Sequence, residues 1–542
     1  MVLVSWLFGV VFGLGVIFFV VFVGGFIFSL CWHYLVVIGG SATASLLFKV
    51  GDVGWVMTFM VVFIFIIVMM FSVVYMQFEV SVGAYSGVLV WFVGGVLVLV
   101  TGGDLYTNVL GWEVLGVSSF ILISYYGSRS GWGSAYITML VNRVGDIGFM
   151  LLIIGNILVW VMGGWSGVIV LWFMSLPLLC VVATKSAQYP ASGWLPLAMA
   201  APTPVSALVH SSTLVVAGVY MLMLLGYSVL GGSLSVWLYL GVVSLIVAGF
   251  SVVWEGDFKK IVALSTATHL SLMVLLCVLC GVGFAVAHMG FHAVFKSGLF
   301  VVIGMFMWFL CHEQDFRGVL KSGGKIFGAL GVMMVISLLS LVGVAGTSGW
   351  LMKEALMNWV FECGAGLCEC FFVVFALATS VSYCLKLLLV SSGMGVSSQV
   401  ASEGACWPVW CVLGVLFVSL LSGAYLTSIF DGGFCSVFMG GVSASGFYWG
   451  VAVFWCLFMW LKLSLIKDMA NMEMGNLLGH IVGCVSLYWG VALIFAENVF
   501  GSGGFLGVSG EVGSGGEFLY SSLCDFWACL GGVVVTLLVF MG

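Results

Sequence analysis

Long apolar runs follow one another along almost the whole chain. Most are about 20 residues long, which is the length a helix needs to cross a bilayer, and the roughly ten-residue alternation of a membrane barrel is absent. This pattern predicts an all-α polytopic membrane protein with 15 to 17 transmembrane helices. The predicted spans lie near residues 5–30, 32–48, 53–77, 84–102, 105–125, 134–162, 166–184, 205–230, 234–252, 261–281, 283–311, 326–345, 350–390 (broken), 407–430, 444–461, 474–496 and 526–541.

The composition excludes several classes of function. The chain is 63% hydrophobic and 6% charged, whereas soluble domains carry about 25% charged residues. It has no basic patch, so no nucleic-acid partner is predicted. It also lacks a glycine-rich phosphate-binding motif between a strand and a helix, so we expect no dinucleotide or ATP to bind.

Two predicted helices are broken beside ionisable residues. Five of the six prolines fall between Pro177 and Pro204, in a segment that also contains Lys185 and His210. Irregular backbone at membrane depth is tolerated only where protein shields it or where it lines a watery cavity, and an ionisable residue there indicates a functional site.

The second break follows Gly343, Gly346 and Gly349 and precedes Lys353 and Glu354. These two residues are adjacent, so they project about 100° apart and should face different partners. Two broken, charged helices are typical of transporters built from inverted repeats, and they indicate ion translocation.

Three further charged residues lie within the predicted spans. Glu113, which follows Asp104 in an apolar run, either takes part in function or pairs with a neighbouring helix. Arg143 and Asp146 stand three positions apart on one helix and can pair locally, which favours a structural role.

One predicted helix has an ionisable stripe. His288, His292 and Lys296 recur at every fourth position, so they share one helix face. The stripe can be read as a proton relay, as polar packing or as a metal site. The lysine and the lack of carboxylate or thiolate ligands on that face favour the relay, because burial disfavours a charged amine and a nearby carboxylate favours it.

The cysteines leave a metal site or a disulfide open, but neither is favoured. Cys277 and Cys280 form a C-x-x-C in an apolar helix without a second ligand pair, and Cys363, Cys368 and Cys370 lie close together. Buried cysteine usually behaves as a small hydrophobic residue. We therefore predict no metal.

The ends and loops carry weaker indications. The first apolar segment lacks a basic flank and a cleavage site, so we expect a retained span rather than a signal peptide. Residues encoded by G- and T-rich codons are in excess, which resembles the bias of an organelle genome. The basic residues predicted in loops on the matrix or cytoplasmic side are Arg129, Lys259, Lys260, Arg317, Lys321 and Lys325.

Six motifs carry a resemblance to a known family. They are GWEVLGVSSFILISYY at Gly111–Tyr126, NRVGD at Asn142–Asp146, KSAQYPASGWLPLAMAAPTPVSALVH at Lys185–His210, GDFKKIVALSTATHL at Gly256–Leu270, HAVFK at His292–Lys296 and HEQDFR at His312–Arg317. In this order they resemble the chain 5 family of NADH:ubiquinone oxidoreductase, antiporter-like membrane subunits of respiratory complex I. NRVGD and the EQD-R loop favour chain 5 over the paralogous chains 2 and 4.

The resemblance implies a role for each matching residue. It implies a proton path from Glu113 and Lys185, as a coupled pair, to Lys353 and Glu354, with four residues between these ends: His210, His288, His292 and Lys296. Arg143, Asp146, Pro202 and Pro204 are predicted to have structural or auxiliary roles.

Some positions depart from the family pattern. Leu197, Ala201, Ser211, Ser212, Glu354 and Lys386 replace the usual residues, and His269 replaces the usual glutamine of ST-x-x-Q. None of these changes removes a proposed relay group. The family's long lateral helix is expected between Leu461 and Leu493 or in the Gly-rich stretch 501–517, and its completeness is open.

The implied function is proton translocation across the mitochondrial inner membrane, coupled to electron transfer from NADH to ubiquinone. Flavin, iron–sulfur clusters, NADH and ubiquinone would be held by other subunits, and the partners would be membrane-arm subunits, especially a chain 4-like neighbour, and lipids. The predicted regions are N-terminal helices at 1–103, a translocating core at 104–400 and C-terminal helices at 401–542. Two alternatives are a subunit of a multi-chain cation/proton antiporter and a structural membrane-arm subunit with a vestigial relay.

Overall fold

The fold was analysed in a computed structural model of the chain. It describes residues 36–38, 46–48, 50–79, 81–161, 168–229, 234–309, 314, 328–343, 347–362, 373, 377–381, 383–384 and 386–387. The chain divides into two compact units, Met1–Lys467 and Asp468–Gly542, and every described residue lies in the first. The predicted spans near residues 5–30 and beyond 400, the lateral helix and the basic loop at 317–325 lie outside the described residues, and the three predicted regions stay a prediction.

Helices make up almost all of the described structure. They are α1 (Asp52–Tyr75), α2 (Val82–Thr101), α3 (Leu105–Ile123), α4 (Arg129–Val161), α5 (Val168–Lys185), α6 (Trp194–Leu197), α7 (Thr203–Leu208), α8 (Leu214–Val229), α9 (Leu234–Trp254), α10 (Phe258–Leu279), α11 (Val282–Phe309), α12 (Gly328–Val342) and α13 (Ser348–Glu362). A 3₁₀ turn, Ala198–Ala200, links α6 to α7, and a π-helical turn, Val209–Thr213, links α7 to α8.

Seven stretches in the described residues are long and apolar enough to cross a membrane. They are Val53–Tyr75, Val82–Thr101, Leu105–Ile123, Arg129–Ile157, Thr203–Gly226, Phe258–Leu279 and Val282–Trp308. Each coincides with a predicted span to within a few residues, so the prediction of a multi-pass, all-α membrane protein is confirmed. Three shorter apolar helices, Met174–Lys185, Val236–Val252 and Met333–Val342, coincide with three further predicted spans.

The predicted span near 32–48 is wrong. Two short antiparallel strands, β1 (Val36–Ile38) and β2 (Leu46–Phe48), occupy this region, with Val37 opposite Leu47. The sequence between them, GGSATAS, is rich in glycine and hydroxyl residues and divides the apolar run into two triplets. Each triplet is too short for a membrane helix, and Val and Ile favour extended backbone.

The helices divide into an inner and an outer set. In α10, 94% of the most apolar stretch is buried inside the protein, whereas in α2 and α4 the share is 39%. The inner helix α10 packs against α9 and α11, and the outer helix α4 packs against α3 and α5. Polar side chains on α10 and α11 therefore face protein rather than lipid.

Both predicted helix interruptions are present. Helix α5 ends at Lys185, and the chain turns through Ala187, whose φ of 50° lies in the left-handed region. Helix α12 ends before Gly343, whose φ is 78°, a conformation that suits glycine because it has no Cβ. Helix α13 then begins at Ser348.

Three basic residues predicted in loops lie in helices. Arg129 begins α4, and Lys259 and Lys260 lie in the first turn of α10. Lys259 is buried. Its Nζ donates to the carbonyl of Ala201 at 3.2 Å. The reason is that α10 begins at Phe258, which brings its first turn to the broken segment that contains Ala201.

Helix α3 comes close to the backbone of α2 at Gly111. A Cβ at this position would lie 2.6 Å from Leu99 Cα, whereas a Cβ at Gly116 of the same helix would have nothing within 4 Å. Replacing Gly111 with alanine should therefore lower the free energy of unfolding by about 1–3 kcal/mol, the usual effect of overpacking. The thermal midpoint of the detergent-solubilised protein measures this effect.

Gly116→Ala is the matched control, because both substitutions raise helix propensity equally and only one meets a neighbour. Equal thermal midpoints for the two variants would contradict the close contact between α2 and α3.

Candidate proton-relay site

The first group of charged residues lies between α3 and α4. Arg143 Nη1 lies 2.8 Å from Glu113 Oε2 and 3.0 Å from Asp146 Oδ2. The predicted contact between Arg143 and Asp146 is therefore confirmed, and Arg143 joins two carboxylates. Trp112 adds a fourth member, because its Nε1 donates to Asp146 Oδ1 at 2.8 Å.

Lys185 lies beside this group, as the last residue of α5. Its side chain is fully buried, and its Nζ lies 4.8 Å from the centre of the Trp112 ring, within range of a cation–π interaction. No hydrogen-bond partner of this Nζ is present in the described residues. Among the described residues, Glu113 thus forms its ion pair with Arg143 rather than with Lys185.

Trp112 therefore has two neighbours of opposite charge. Its ring faces the Lys185 amine, while its indole N–H binds the Asp146 carboxylate. A change in the pairing of Arg143 between Glu113 and Asp146 would alter the field at Lys185. Sequence reasoning had given no role to Trp112, although it stands directly before Glu113 in GWE.

His210 lies in the π-helical turn between α7 and α8 and is fully buried. Neither ring nitrogen has a hydrogen-bond partner in the described residues. Its nearest aromatic neighbour is Trp194, at 6.0 Å between ring centres, and Trp194 Nε1 donates to the carbonyl of Thr184 at 2.9 Å. Trp194 thus lies between His210 and the end of α5 that carries Lys185.

The two prolines predicted to be structural lie at the start of α7. Pro202 precedes its first residue, and Pro204 stands in its first turn. Both positions suit proline, because the first amides of a helix have no helical partner to lose.

A second group of ionisable residues lies between α10 and α11. The predicted stripe His288, His292 and Lys296 is entirely buried and faces α10. Lys296 Nζ donates to Ser265 Oγ at 2.5 Å. Ser265 lies one helical turn before His269, which extends the polar surface of α10 that receives the stripe.

His269 is the residue of this group that the sequence did not single out as a site residue. Its Nδ1 lies 3.3 Å from His288 Nε2, and its ring centre lies 5.4 Å from that of His292. The sequence showed it only as a departure from a motif. A stricter search for any ionisable residue in an apolar run would have found it.

Lys353 lies at the second helix interruption. Its Nζ donates to the carbonyls of Leu341 and Val342 at 2.9 and 2.8 Å and to Ser380 Oγ at 2.7 Å. These carbonyls end α12, and a cation is favourable there because the last carbonyls of a helix lack amide partners. Glu354 Oε2 makes no hydrogen bond in the described residues, so the two adjacent side chains face different surroundings, as predicted.

All of these residues fall within a stretch that matches a known family. The model of the NADH:quinone oxidoreductase/Mrp antiporter membrane family matches residues 102–380. The chain belongs to this family. The match begins just before Glu113 and ends at Ser380, so it covers both groups of ionisable residues described above.

Several family members are similar in sequence over much of the chain. NADH-ubiquinone oxidoreductase chain 5 of Artemia franciscana is 31% identical over 391 residues, covering 69% of each chain. The Lumbricus terrestris chain 5 is 36% identical over 54% of this chain and 51% of that protein. The chain thus spans about half the length of the Lumbricus relative, and the resemblance to chain 5 is confirmed.

Two solved structures share the fold. A chain of the Mrp complex from Dietzia sp. is similar to this chain with a TM-score of 0.62 and 19% identity. The match covers 92% of this chain and 60% of the Mrp chain. The membrane-bound sulfane sulfur reductase, an archaeal respiratory membrane complex, matches 78% of this chain and 88% of that chain with a TM-score of 0.57, at 18% identity. At these identities the likeness concerns the fold alone.

The departures from the family pattern at Ser211 and Ser212 have a local structural consequence. Their hydroxyls donate to the carbonyls of Ala207 and Leu208, and Thr213 Oγ1 also donates to the Leu208 carbonyl at 2.8 Å. A π turn leaves carbonyls without their usual partners, and these hydroxyls satisfy them. Lys386, another departure, donates to the carbonyl of Glu255.

The described cysteines and histidines bear on the alternatives of a metal site and a disulfide. Within the described part of the chain, no group of three or more His, Cys, Asp or Glu side chains is arranged to hold a metal ion. Cys277 and Cys280 are thiols rather than a disulfide, and Cys280 Sγ lies 3.8 Å from the carbonyl of Ala355. Cys363, Cys368 and Cys370 lie outside the described residues.

The contact between Lys296 and Ser265 gives a testable consequence. Replacing Ser265 with alanine removes the hydroxyl that accepts from Lys296 Nζ. Leaving a buried polar group without its partner costs about 1–3 kcal/mol, so the thermal midpoint of the solubilised protein should fall.

Ser271→Ala is the matched control, because Ser271 is equally buried on α10 and donates to Thr268 O of its own helix. A loss of stability in Ser271→Ala as large as that in Ser265→Ala would show that the contact with Lys296 has no special weight.

Proposed function

We propose that the chain is a membrane-arm subunit of respiratory complex I that translocates protons across the mitochondrial inner membrane, coupled to electron transfer from NADH to ubiquinone. The observation that carries this proposal is that three of the buried lysines, Lys185, Lys296 and Lys353, lie at the helix interruptions or on the ionisable stripe. Membership of a family that includes NADH:quinone oxidoreductase subunits supports it.

The energetics favour a functional reason for these lysines. A lysine at the centre of a membrane helix costs about 2.5–3.5 kcal/mol on insertion scales, so three cost roughly 7–10 kcal/mol. Among the described residues, none of the three forms an ion pair with a carboxylate, although carboxylates act on Lys185 at longer range. An apolar residue at each position would be less costly, so structure alone gives no reason for the charge.

The first step of the proposed mechanism is electrostatic. A signal from a neighbouring subunit changes how Arg143 is shared between Glu113 and Asp146. A freer Asp146 carboxylate favours the charged form of Lys185, and a neutralised one favours its release of a proton. Trp112 fixes the positions of Lys185 and Asp146 relative to each other, because its ring faces the Lys185 amine and its N–H donates to the Asp146 carboxylate. Glu113 and Lys185 then remain coupled through Arg143 and Asp146 rather than by direct contact.

The later steps move the proton from Lys185 through His210 to the second group and on to Lys353 and Glu354. His288, His292 and Lys296 are buried imidazole and amine groups that can accept and donate protons. Moving one charge against 100 mV requires about 2.3 kcal/mol, which a modest change in the surroundings of a buried lysine can supply.

An exposed face on α3 and α4 supports a protein neighbour for this subunit. Arg143 and Glu113 are 45% and 33% exposed, on a surface that otherwise presents apolar side chains such as Leu140 and Ile147. An ion pair facing lipid is unfavourable, so we infer that a membrane-arm subunit, a chain 4-like neighbour, covers it. Flavin, iron–sulfur clusters, NADH and ubiquinone are then bound by other subunits.

A second candidate function is that of a subunit of a multi-chain cation/proton antiporter. The observation that favours it is the similarity in fold to the Mrp complex from Dietzia sp.. A relay of lysines and histidines would serve either function. The two candidates therefore differ in the protein complex to which the chain belongs.

A native gel of gently solubilised membranes separates the two candidates. Stained for NADH dehydrogenase activity and probed with an antibody to this chain, it should show the chain in the large active band. A smaller band without NADH activity would contradict the complex I proposal and favour the cation antiporter. Sodium-dependent proton exchange would then be expected in membranes that lack NADH dehydrogenase.

Methionine at the relay lysines tests the mechanism. Lys185→Met and Lys353→Met should each lower the initial rate of NADH-driven proton pumping by roughly a hundredfold or more, since a proton-transfer group is lost. Lys260→Met is the control, because Lys260 pairs with Asp257 on the exposed side of α10 and should leave pumping unchanged. Normal assembly with unchanged pumping in Lys185→Met would contradict the assigned role, and loss of assembly alone would favour the vestigial relay.

A further inference from the structure

His269 has an arrangement that the other described histidines of the interior lack. Its Nδ1 lies 3.3 Å from His288 Nε2, and its Nε2 lies 3.3 Å from the hydroxyl of Tyr383. In the same part of the chain, both ring nitrogens of His210 and His292 and the Nδ1 of His288 have no hydrogen-bond partner. His269 is thus contacted at both ends of its ring.

Contacts at both nitrogens are what a proton-passing imidazole requires. A neutral imidazole has one N–H donor and one acceptor nitrogen, and it becomes a donor at both when protonated. When each nitrogen already has a partner, it can take up a proton at one nitrogen and release the other proton at the opposite nitrogen without turning its ring. A histidine kept only for packing needs neither contact.

The partners of His269 lead towards two lysines. On α10, Ser265 lies one turn before His269 and accepts from Lys296 at 2.5 Å. On the other side, Tyr383 stands three positions after Ser380, which accepts from Lys353 Nζ at 2.7 Å. Both residues have helical backbone, and residues three apart in a helix share a face.

The burial of His269 and Tyr383 agrees with a position between Lys296 and Lys353. His269 is 2% exposed and Tyr383 is fully buried, so bulk water does not reach either side chain. The centre of its ring lies 5.5 Å from that of His288 and 5.4 Å from that of His292. In the part of the chain that the structure describes, no acidic residue is hydrogen-bonded to His269.

We propose that His269, together with Tyr383, is the proton-passing link between the α11 stripe and Lys353. This inference rests on the proposed function and deepens it. In the step, a proton on His288 Nε2 is taken up at His269 Nδ1, and the proton on His269 Nε2 passes to the oxygen of Tyr383. The tyrosine hydroxyl releases its own proton towards the uncharged amine of Lys353 through Ser380. One proton enters the link and one leaves it, and no oxidant or reductant is needed.

Two substitutions test the link in the assembled complex. His269→Gln keeps a hydrogen-bond donor and acceptor but has no group that takes up a proton near neutral pH, and Tyr383→Phe removes only one hydroxyl. Each should lower the initial rate of proton pumping in sealed vesicles by roughly tenfold or more, as expected for loss of a proton-transfer group. The double variant should be no worse than the more damaging single one, because both act on one link.

Thr268→Val is the matched control, because Thr268 is buried on α10 beside His269 and its hydroxyl donates to Ser265 O of its own helix. Pumping in this variant should equal that of the unmodified complex. NADH oxidation by an artificial electron acceptor, measured in every variant, reports assembly independently of proton movement.

The results separate this inference from the function on which it rests. If Lys353→Met abolishes pumping while His269→Gln and Tyr383→Phe pump normally, the link is refuted and the proposed function stands. If Lys353→Met also pumps normally, the proposed function fails. If His269→Gln does not assemble, Tyr383→Phe decides, because normal pumping without this hydroxyl overturns the proposed step.

Discussion

The unfavourable burial of charged amines in a membrane protein is the constraint on which the described structure depends. Lys185, Lys296 and Lys353 are all removed from water, and the fold supplies each with a different neighbour: a tryptophan ring, a serine hydroxyl and the end of a helix. None of these neighbours is a formal negative charge. Such surroundings stabilise an ammonium group only partly, so its proton can be lost when a nearby charge moves.

The helix interruptions follow from the same constraint. An unbroken membrane helix satisfies its own carbonyls and has none to offer a lysine. Ending α12 at Gly343 leaves the carbonyls of Leu341 and Val342 for Lys353, and the break after α5 lets Trp194 bind the carbonyl of Thr184 beside Lys185. The breaks are therefore part of the binding chemistry of the site and not merely a tolerated irregularity.

The contacts of the buried histidines and lysines depend on packing between helices distant in sequence. The α11 stripe acquires partners only because α10, with Ser265 and His269, packs against it, and Tyr383 reaches His269 from more than a hundred residues further along the chain. At the other end, the α3–α4 contact places Arg143 on Glu113, so the carboxylate predicted to pair with Lys185 is already engaged. Trp112, in contrast, contacts both Lys185 and Asp146.

The sequence by itself determined the class of the protein, the spans of the described part other than the one near 32–48, both helix interruptions and the stripe of His288, His292 and Lys296. These features depend on hydrophobic length, on glycine and proline, and on helical spacing, all of which are local. It mistook the region near 32–48 for a helix, because overall hydrophobicity there outweighed the Gly/Ser stretch that separates two strands. Only the tertiary structure decided that Lys259 is buried against Ala201, that Arg143 binds Glu113, and that His269 and Tyr383 lie together, because such contacts depend on how separate helices pack.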